Sequence, residues 1–129
     1  MEGLPDELAQ FFLDANYATA ATVNADGSPQ LTVVWVDYDG ENVVFNTAAG
    51  RAKPRNIERG SLVSVLAFDG ADFNRWVSVT GPAEIDEDTD RAHADKLAQQ
   101  YAGREHFGGE EQRLIVRVRP ERVTTYGLD

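Results

Sequence analysis

The sequence predicts a mainly β fold: an antiparallel β-barrel of six or so strands, with two or three short helices between them. Two hairpin signals, Asp26-Gly27 and Asp39-Gly40, join consecutive apolar runs and imply an antiparallel meander. Helical periodicity is confined to a few short stretches. Two runs, residues 31–36 and 62–68, are apolar on both faces, whereas a half-exposed strand alternates. One face then fills the barrel. The other is covered by something else, a second subunit or a cofactor.

In chain order, Leu8, Phe11, Phe12 and Ala15 follow i, i+3, i+4 and i+7 and predict a helix over residues 5–16. Pro5 fits its first turn, and Asp6 and Glu7 suit its dipole. Strands are expected over 19–23, 30–37 and 42–47. A basic helix follows over 51–59, with Pro54 tolerable only in its first turn and Gly60 as its stop. Residues 62–68 read as a strand, and 75–85 as one long strand in which Gly81-Pro82 signals a bulge or an edge. Asp86, Glu87, Asp88 and Asp90 form an acidic cap before a helical face of Ala94, Leu97, Ala98 and Tyr101, stopped at Gly103. A polar loop over 103–112 leads to a strand over 113–119. There Leu114, Val116 and Val118 point inward, and Arg113, Ile115, Arg117 and Arg119 outward. Residues 122–126 add a short strand.

The 129 residues suit a single domain, 1–129, large enough for its own core. With no cysteine there is no disulfide, thiolate zinc site or cysteine nucleophile. The formal charge of -10 argues against non-specific nucleic-acid binding, which needs a broad positive surface. No apolar run is long enough to span a membrane and no leader pattern opens the chain, so a cytoplasmic protein is expected.

Against this acidic background, four of the twelve basic residues fall within nine positions: Arg51, Lys53, Arg55 and Arg59, with Glu58 the one acid among them. Arg51, Arg55 and Arg59 would share a helix side, as a solvated face also would. Cations in a first turn oppose the helix dipole, so an anion is the expected occupant of this strand-to-helix junction. Elsewhere the chain offers little chemistry. His93 and His106 lack metal-ligand spacing and read as surface residues; no metal site is expected. No nucleophile motif occurs. Trp35 and Trp76 sit in the core or stack on a flat ligand. An anion site beside apolar strands, without a protein nucleophile, suits a protein whose cofactor carries the reaction.

Phe45-Asn46-Thr47, Gly50-Arg51-Ala52-Lys53 and Arg55-Asn56-Ile57, with the strand from Pro29 to Trp35, resemble the pyridoxamine 5'-phosphate oxidase-like split β-barrel superfamily. Arg75-Trp76-Val77-Ser78-Val79-Thr80-Gly81-Pro82-Ala83-Glu84-Ile85 is similar to that superfamily's long strand. The resemblance covers nearly the whole chain. It implies a six-stranded split barrel of Greek-key type that forms a homodimer with flavin-type sites at the subunit interface. Gly-Arg-x-Lys-x-Arg-Asn most resembles the B group of oxidoreductases that use the deazaflavin coenzyme F420; FMN is the alternative cofactor. By position, Lys53 would bind the cofactor phosphate, and Arg51 and Arg55 the phosphate or its acidic tail. Asn46 and Thr47 would bond near the ring and polyol, Thr32, Val33 and Val34 would line the ring, and Trp76 would close the site from the other subunit; Asn56 belongs to the same motif. Thr32 and Ala52 stand where the oxidases of this superfamily carry arginines, which points away from pyridoxamine phosphate oxidation itself. The implied activity is hydride transfer from reduced coenzyme F420 to an electron-poor double bond of a small molecule. The resemblance identifies no catalytic side chain. An FMN-dependent oxidoreductase, or a non-catalytic carrier of flavin, deazaflavin or haem, are the other readings.

Overall fold

The computed structural model describes residues 3–14 and 16–128. Helix α1 (Asp6–Leu13) is followed by strands β1 (Tyr17–Val23), β2 (Pro29–Tyr38) and β3 (Val43–Ala48). Helix α2 (Ala52–Glu58), strands β4 (Val63–Asp69), β5 (Asp72–Gly81) and β6 (Ala83–Glu87), helix α3 (Ala92–Ala102) and strands β7 (Arg113–Val118) and β8 (Arg122–Tyr126) complete the order. The strands form one antiparallel sheet in the order β6-β7-β3-β2-β1-β4-β5-β8. The mainly β, split-barrel reading therefore holds. Ala15, the last residue of the predicted first helical face, lies outside the described residues; Phe11 and Phe12 of that face are buried in the core.

The strand count is eight rather than six, because the expected long strand is two. Gly81 ends β5 and Pro82, which has no N–H to give a ladder, stands between it and β6. The two pieces then pair on different sides. β5 lies between β4 and β8, and β6 pairs with β7. Since β5 and β6 lie toward opposite ends of the strand order, their continuity in the chain closes the curled sheet on itself. Gly81 is needed at this corner: a Cβ there would come within 1.7 Å of the Arg119 carbonyl oxygen. The Arg119 N–H donates to the Pro82 carbonyl (2.9 Å) and seals the join.

Inward side chains alternate as a barrel requires. Ala18 and Ala20 of β1, Val36 of β2, Val43 and Phe45 of β3, Val63 and Val65 of β4, Val77 and Val79 of β5, and Val116 and Val118 of β7 are all buried. Helix α1 packs over β2, β4 and β5, and α2 over β1, β3 and β6. The small Ala18 and Ala20 of β1 pack in the same buried cluster as the larger Phe12 and Phe45. Among the described residues no helix is long and apolar enough to cross a membrane.

The split falls within β2. Residues Pro29–Trp35 pair with β1, and Val36–Tyr38 pair with β3. Beyond Val36 and Phe45 the strands part, and Asn46–Ala48 pair only with β7.

Candidate functional site

The opening between the parted strands holds a pocket of about 570 Å³. That is within the usual range for small-molecule sites. Gln30, Thr32, Val33, Val34 and Trp35 of β2 form one wall, and Asn46, Thr47 and Ala48 of β3 the other. Arg51, Ala52 and Lys53 enter from the β3–α2 junction. Helix α3 (Ala94, Leu97, Ala98) and the segment that follows it (Arg104, Phe107, Glu111) close the remaining side, above Arg113.

Lys53 is the chemical centre of the junction. It is only 4% exposed, and its ammonium donates to Gln30 Oε1 (2.7 Å) and Thr32 Oγ1 (2.5 Å). An ammonium has three protons to give, and both bonded partners are neutral. Burial without an anion disfavours the charged form, and the Lys53 ammonium is pushed down from its usual 10.5 to about 8. Lys53 is thus a desolvated cation at a pocket wall with a donor to spare. Helix α2 is only seven residues long and begins at Ala52, with Arg51 as its N-cap. The side chain, rather than a long helix dipole, supplies the positive charge.

The aromatic wall is built from β2 outward. Trp35 stacks on Tyr101 of α3 (5.2 Å between centroids, 12° between planes) and meets the edge of Phe107 (5.9 Å). The Tyr101 hydroxyl accepts from the Val36 N–H (3.0 Å) and lies within hydrogen-bond reach of the Asn16 and Val36 carbonyls. Burial pushes this phenol up to about 12, so it stays neutral and holds α3 against β2.

A polar cluster lies behind the other wall. Asp88 accepts from the His93 and Ala94 N–H groups, both at 2.8 Å, and caps α3 as the acidic run predicted. The Asn46 amide lies between Asp88 Oδ2 (3.0 Å) and His93 Nδ1 (2.9 Å), and its oxygen accepts from Arg113 Nε (2.7 Å). With Nδ1 accepting from Asn46, the His93 ring proton sits on Nε2, 3.6 Å from Asp37 Oδ2. Burial raises the Asp37 carboxyl, but His93, Lys96 and the Tyr38 N–H outweigh it and hold the group at about 2.

Of the sequence-predicted residues, Thr32, Val33, Val34, Asn46, Thr47, Arg51 and Lys53 all line the pocket. Three lie elsewhere in this chain. The Arg55 guanidinium turns back to the Gly50 carbonyl. Asn56 is buried, and its amide bonds Thr22 Oγ1 and Asn24 Oδ1 (both 2.9 Å), tying α2 to β1. Trp76 stacks on Tyr126 (5.9 Å) across β5 and β8. Two expectations need correction. His93, expected at the surface, has a side chain only 12% exposed, which sits in the Asp37–Asn46 cluster. Arg113, expected to point outward on the wetter face, is only 7% exposed, because residues 103–112 fold back over it and Phe107 lies 4.3 Å from its guanidinium. Gln30, Phe107, Glu111 and Arg113 were missed as wall residues. A polar loop after a capped helix carries no periodicity that would reveal its return over the sheet.

This geometry has counterparts among known proteins. The chain matches the family model of pyridoxamine 5'-phosphate oxidase over residues 4–127. A pyridoxine/pyridoxamine 5'-phosphate oxidase of Aeromonas hydrophila is 39% identical over 72 residues, which make up 55% of this chain and 34% of that one. The match thus spans about a third of that oxidase's length. A solved F420 reductase superposes with a TM-score of 0.80 over 94% of this chain and 98% of its own, at 29% identity. A conserved hypothetical protein from Mycobacterium tuberculosis superposes with a TM-score of 0.75 over 95% of this chain and 84% of its own, also at 29% identity. Since the family model takes in nearly every described residue, the chain belongs to the pyridoxamine 5'-phosphate oxidase family.

Proposed function

We propose that the chain is an oxidoreductase that binds coenzyme F420 in the pocket between β2 and β3 and reduces an electron-poor double bond of a small molecule. The observation that carries this reading is Lys53, a desolvated ammonium with two neutral partners and a third donor facing an open pocket. The donor set fits a phosphorylated polyol with a flat ring. Lys53, Gln30 and Thr32 would hold the phosphate, Asn46 and Thr47 the polyol, and Val33, Val34 and Trp35 the ring. Bound there in its reduced form, the deazaflavin supplies a hydride. The chain contributes binding, orientation and a dry wall of Trp35, Leu97 and Phe107. The likeness to an F420 reductase along the whole of that chain supports this coenzyme. FMN is the second reading, favoured by the family match itself.

The outer sheet face also bears on the site. Tyr17, Leu31, Val33 and Tyr126 are more than half exposed, and Val33 is at once a pocket wall and part of this face. The proposal includes a homodimer in which a second copy covers that face and brings its Trp76 towards the pocket rim. Paired titrations of the apo-protein with coenzyme F420 and FMN, followed by ligand fluorescence, test the coenzyme. Micromolar binding of the deazaflavin alone is expected, tight binding of FMN alone would select the second reading, and binding of neither would remove both.

A further inference from the structure

A second group of cations lies at the pocket, Arg51 and Arg113 in its wall and Arg91 beside them, and one carboxylate, Glu111, stands among them at poor distances. Glu111 Oε1 lies 3.5 Å from Arg91 Nη2 and 3.6 Å from Arg113 Nη1, and Oε2 lies 4.0 Å from Arg51 Nη2. None of the three contacts is a charge-assisted hydrogen bond, which closes to about 2.7–2.9 Å. One negative charge therefore faces three guanidiniums without bonding any of them.

The arginines are held in place by other means. Arg113 is 7% exposed, is covered by Phe107 at 4.3 Å, and spends its Nε on Asn46. Among the described residues its terminal nitrogens, at the pocket wall, donate no hydrogen bond. Arg91 bonds the Gly108 and Gly109 carbonyls, and its buried Nε has no partner among the described residues. Its backbone, with that of Asp90, is left-handed (φ 59° and 57°), a costly conformation for two successive non-glycine residues. Arg51 is 65% exposed and opens the group to solvent. Glu111 is itself exposed, its side chain 38% accessible, and its carboxylate reaches over the Gly109 backbone, where a Cβ would lie 2.7 Å from Oε1.

We infer that Arg51, Arg91 and Arg113 form a seat for the carboxylate of a ligand, separate from the Lys53 site, and that the Glu111 carboxylate is a resident stand-in which the ligand displaces. A free carboxylate can approach a guanidinium fork in its plane and take two hydrogen bonds, which Glu111 does not form with any of the three. The seat consists of these side chains alone and stands whichever coenzyme the pocket takes.

Calorimetric titration of the purified protein with succinate tests it. Glu111→Gln removes the stand-in's charge and is expected to bind succinate at least about 5-fold more tightly than the wild type. On that background Arg51→Gln, an exposed change that leaves the fold alone, is expected to weaken binding several-fold, and Arg113→Gln to abolish it. Lys53→Met is expected to leave succinate binding within about 2-fold of the wild type, since it belongs to the other site. Equal affinity in Glu111→Gln and wild type, or loss of succinate binding in Lys53→Met, would overturn the inference. Competition separates the two sources of a ligand carboxylate. If F420 but not FMN displaces succinate, the carboxylate is that of the coenzyme's acidic tail. If neither does, it is the substrate's.

Discussion

Val36 and Val33 stand three residues apart on β2, and one is fully buried while the other is 67% exposed. Both are in an apolar run of the same strand. Val36 lies where β2 pairs with β3, with Phe45 opposite it, and its side chain joins the barrel core. Val33 lies where β3 has parted from β2 and only β1 remains alongside. Hydrophobic patterning marks both as interior. Strand alternation decides between them: three residues apart, they point to opposite faces, Val36 into the barrel core and Val33 onto the exposed outer face and the pocket wall.

The sharpest way to break this comparison is in the paired half. Phe45→Ala removes a fully buried ring at the centre of the barrel and is expected to cost about 3–5 kcal/mol. Urea unfolding at pH 7 measures it. A cost below about 1 kcal/mol would mean that the centre of the barrel is not the closed core described.

The parted half should trade stability for binding. Lys53→Met removes a desolvated cation from that wall. Because the folded-state value of Lys53 is lowered, its charge is costly in the free protein below about pH 8, and the cost fades as pH rises from there towards 10.5. The variant is expected to unfold no more easily than the wild type at pH 7, yet to bind a phosphorylated coenzyme more weakly by about 1–3 kcal/mol. In the wild type an arriving anion restores the ammonium. Binding should therefore take up a proton near pH 8–9, and affinity should fall as pH rises through this range. Buffers of different ionisation enthalpy read the uptake calorimetrically. Pure stability loss with unchanged affinity would make Lys53 a structural residue.

These contrasts show what was legible in the sequence. The apolar alternation of β7, the hairpin glycines and the basic junction pointed to the sheet and one end of the pocket, because each is a local pattern of fixed period or spacing. Pro82 was seen as a disturbance but not as a corner, since closure depends on which strands β5 and β6 meet far along the chain. The burial of Arg113 and His93 likewise comes from tertiary folding rather than from local pattern. Residues 103–112, though adjacent in the chain, fold back over Arg113, while Asp37 and Asn46, distant in sequence, enclose His93. Arg55 and Asn56 share the motif of Lys53, but helical geometry turns them to other sides.

Asp37 adjoins the pairing boundary, on the buried side of β2, and extends the test to acid. Its folded-state value of about 2 lies below the ordinary 3.8, so it contributes stability that is fully present above pH 4 and is lost as pH falls towards 2. Asp37→Asn is expected to cost about 1–2 kcal/mol at neutral pH, with wild type and variant converging near pH 2. Parallel unfolding curves at pH 7, 4 and 2 decide it. A gap that persists unchanged at pH 2 would locate the effect in packing rather than in the carboxylate's charge.

The smallest effect is the most diagnostic for the parted half. Val33→Ala removes two methyl groups that are mostly in water in the single chain, so the monomer should lose less than about 0.5 kcal/mol. If a second copy covers Val33, the loss reappears as weaker association. The unfolding midpoint would then depend more steeply on protein concentration than in the wild type, because only the associated form feels the change. The Val36→Ala control, with its side chain already buried within one chain, should lower the midpoint by the same amount at every concentration. Two valines on one strand would thus separate the two kinds of burial. Concentration-independent behaviour for both would mean that nothing from a second chain reaches this face.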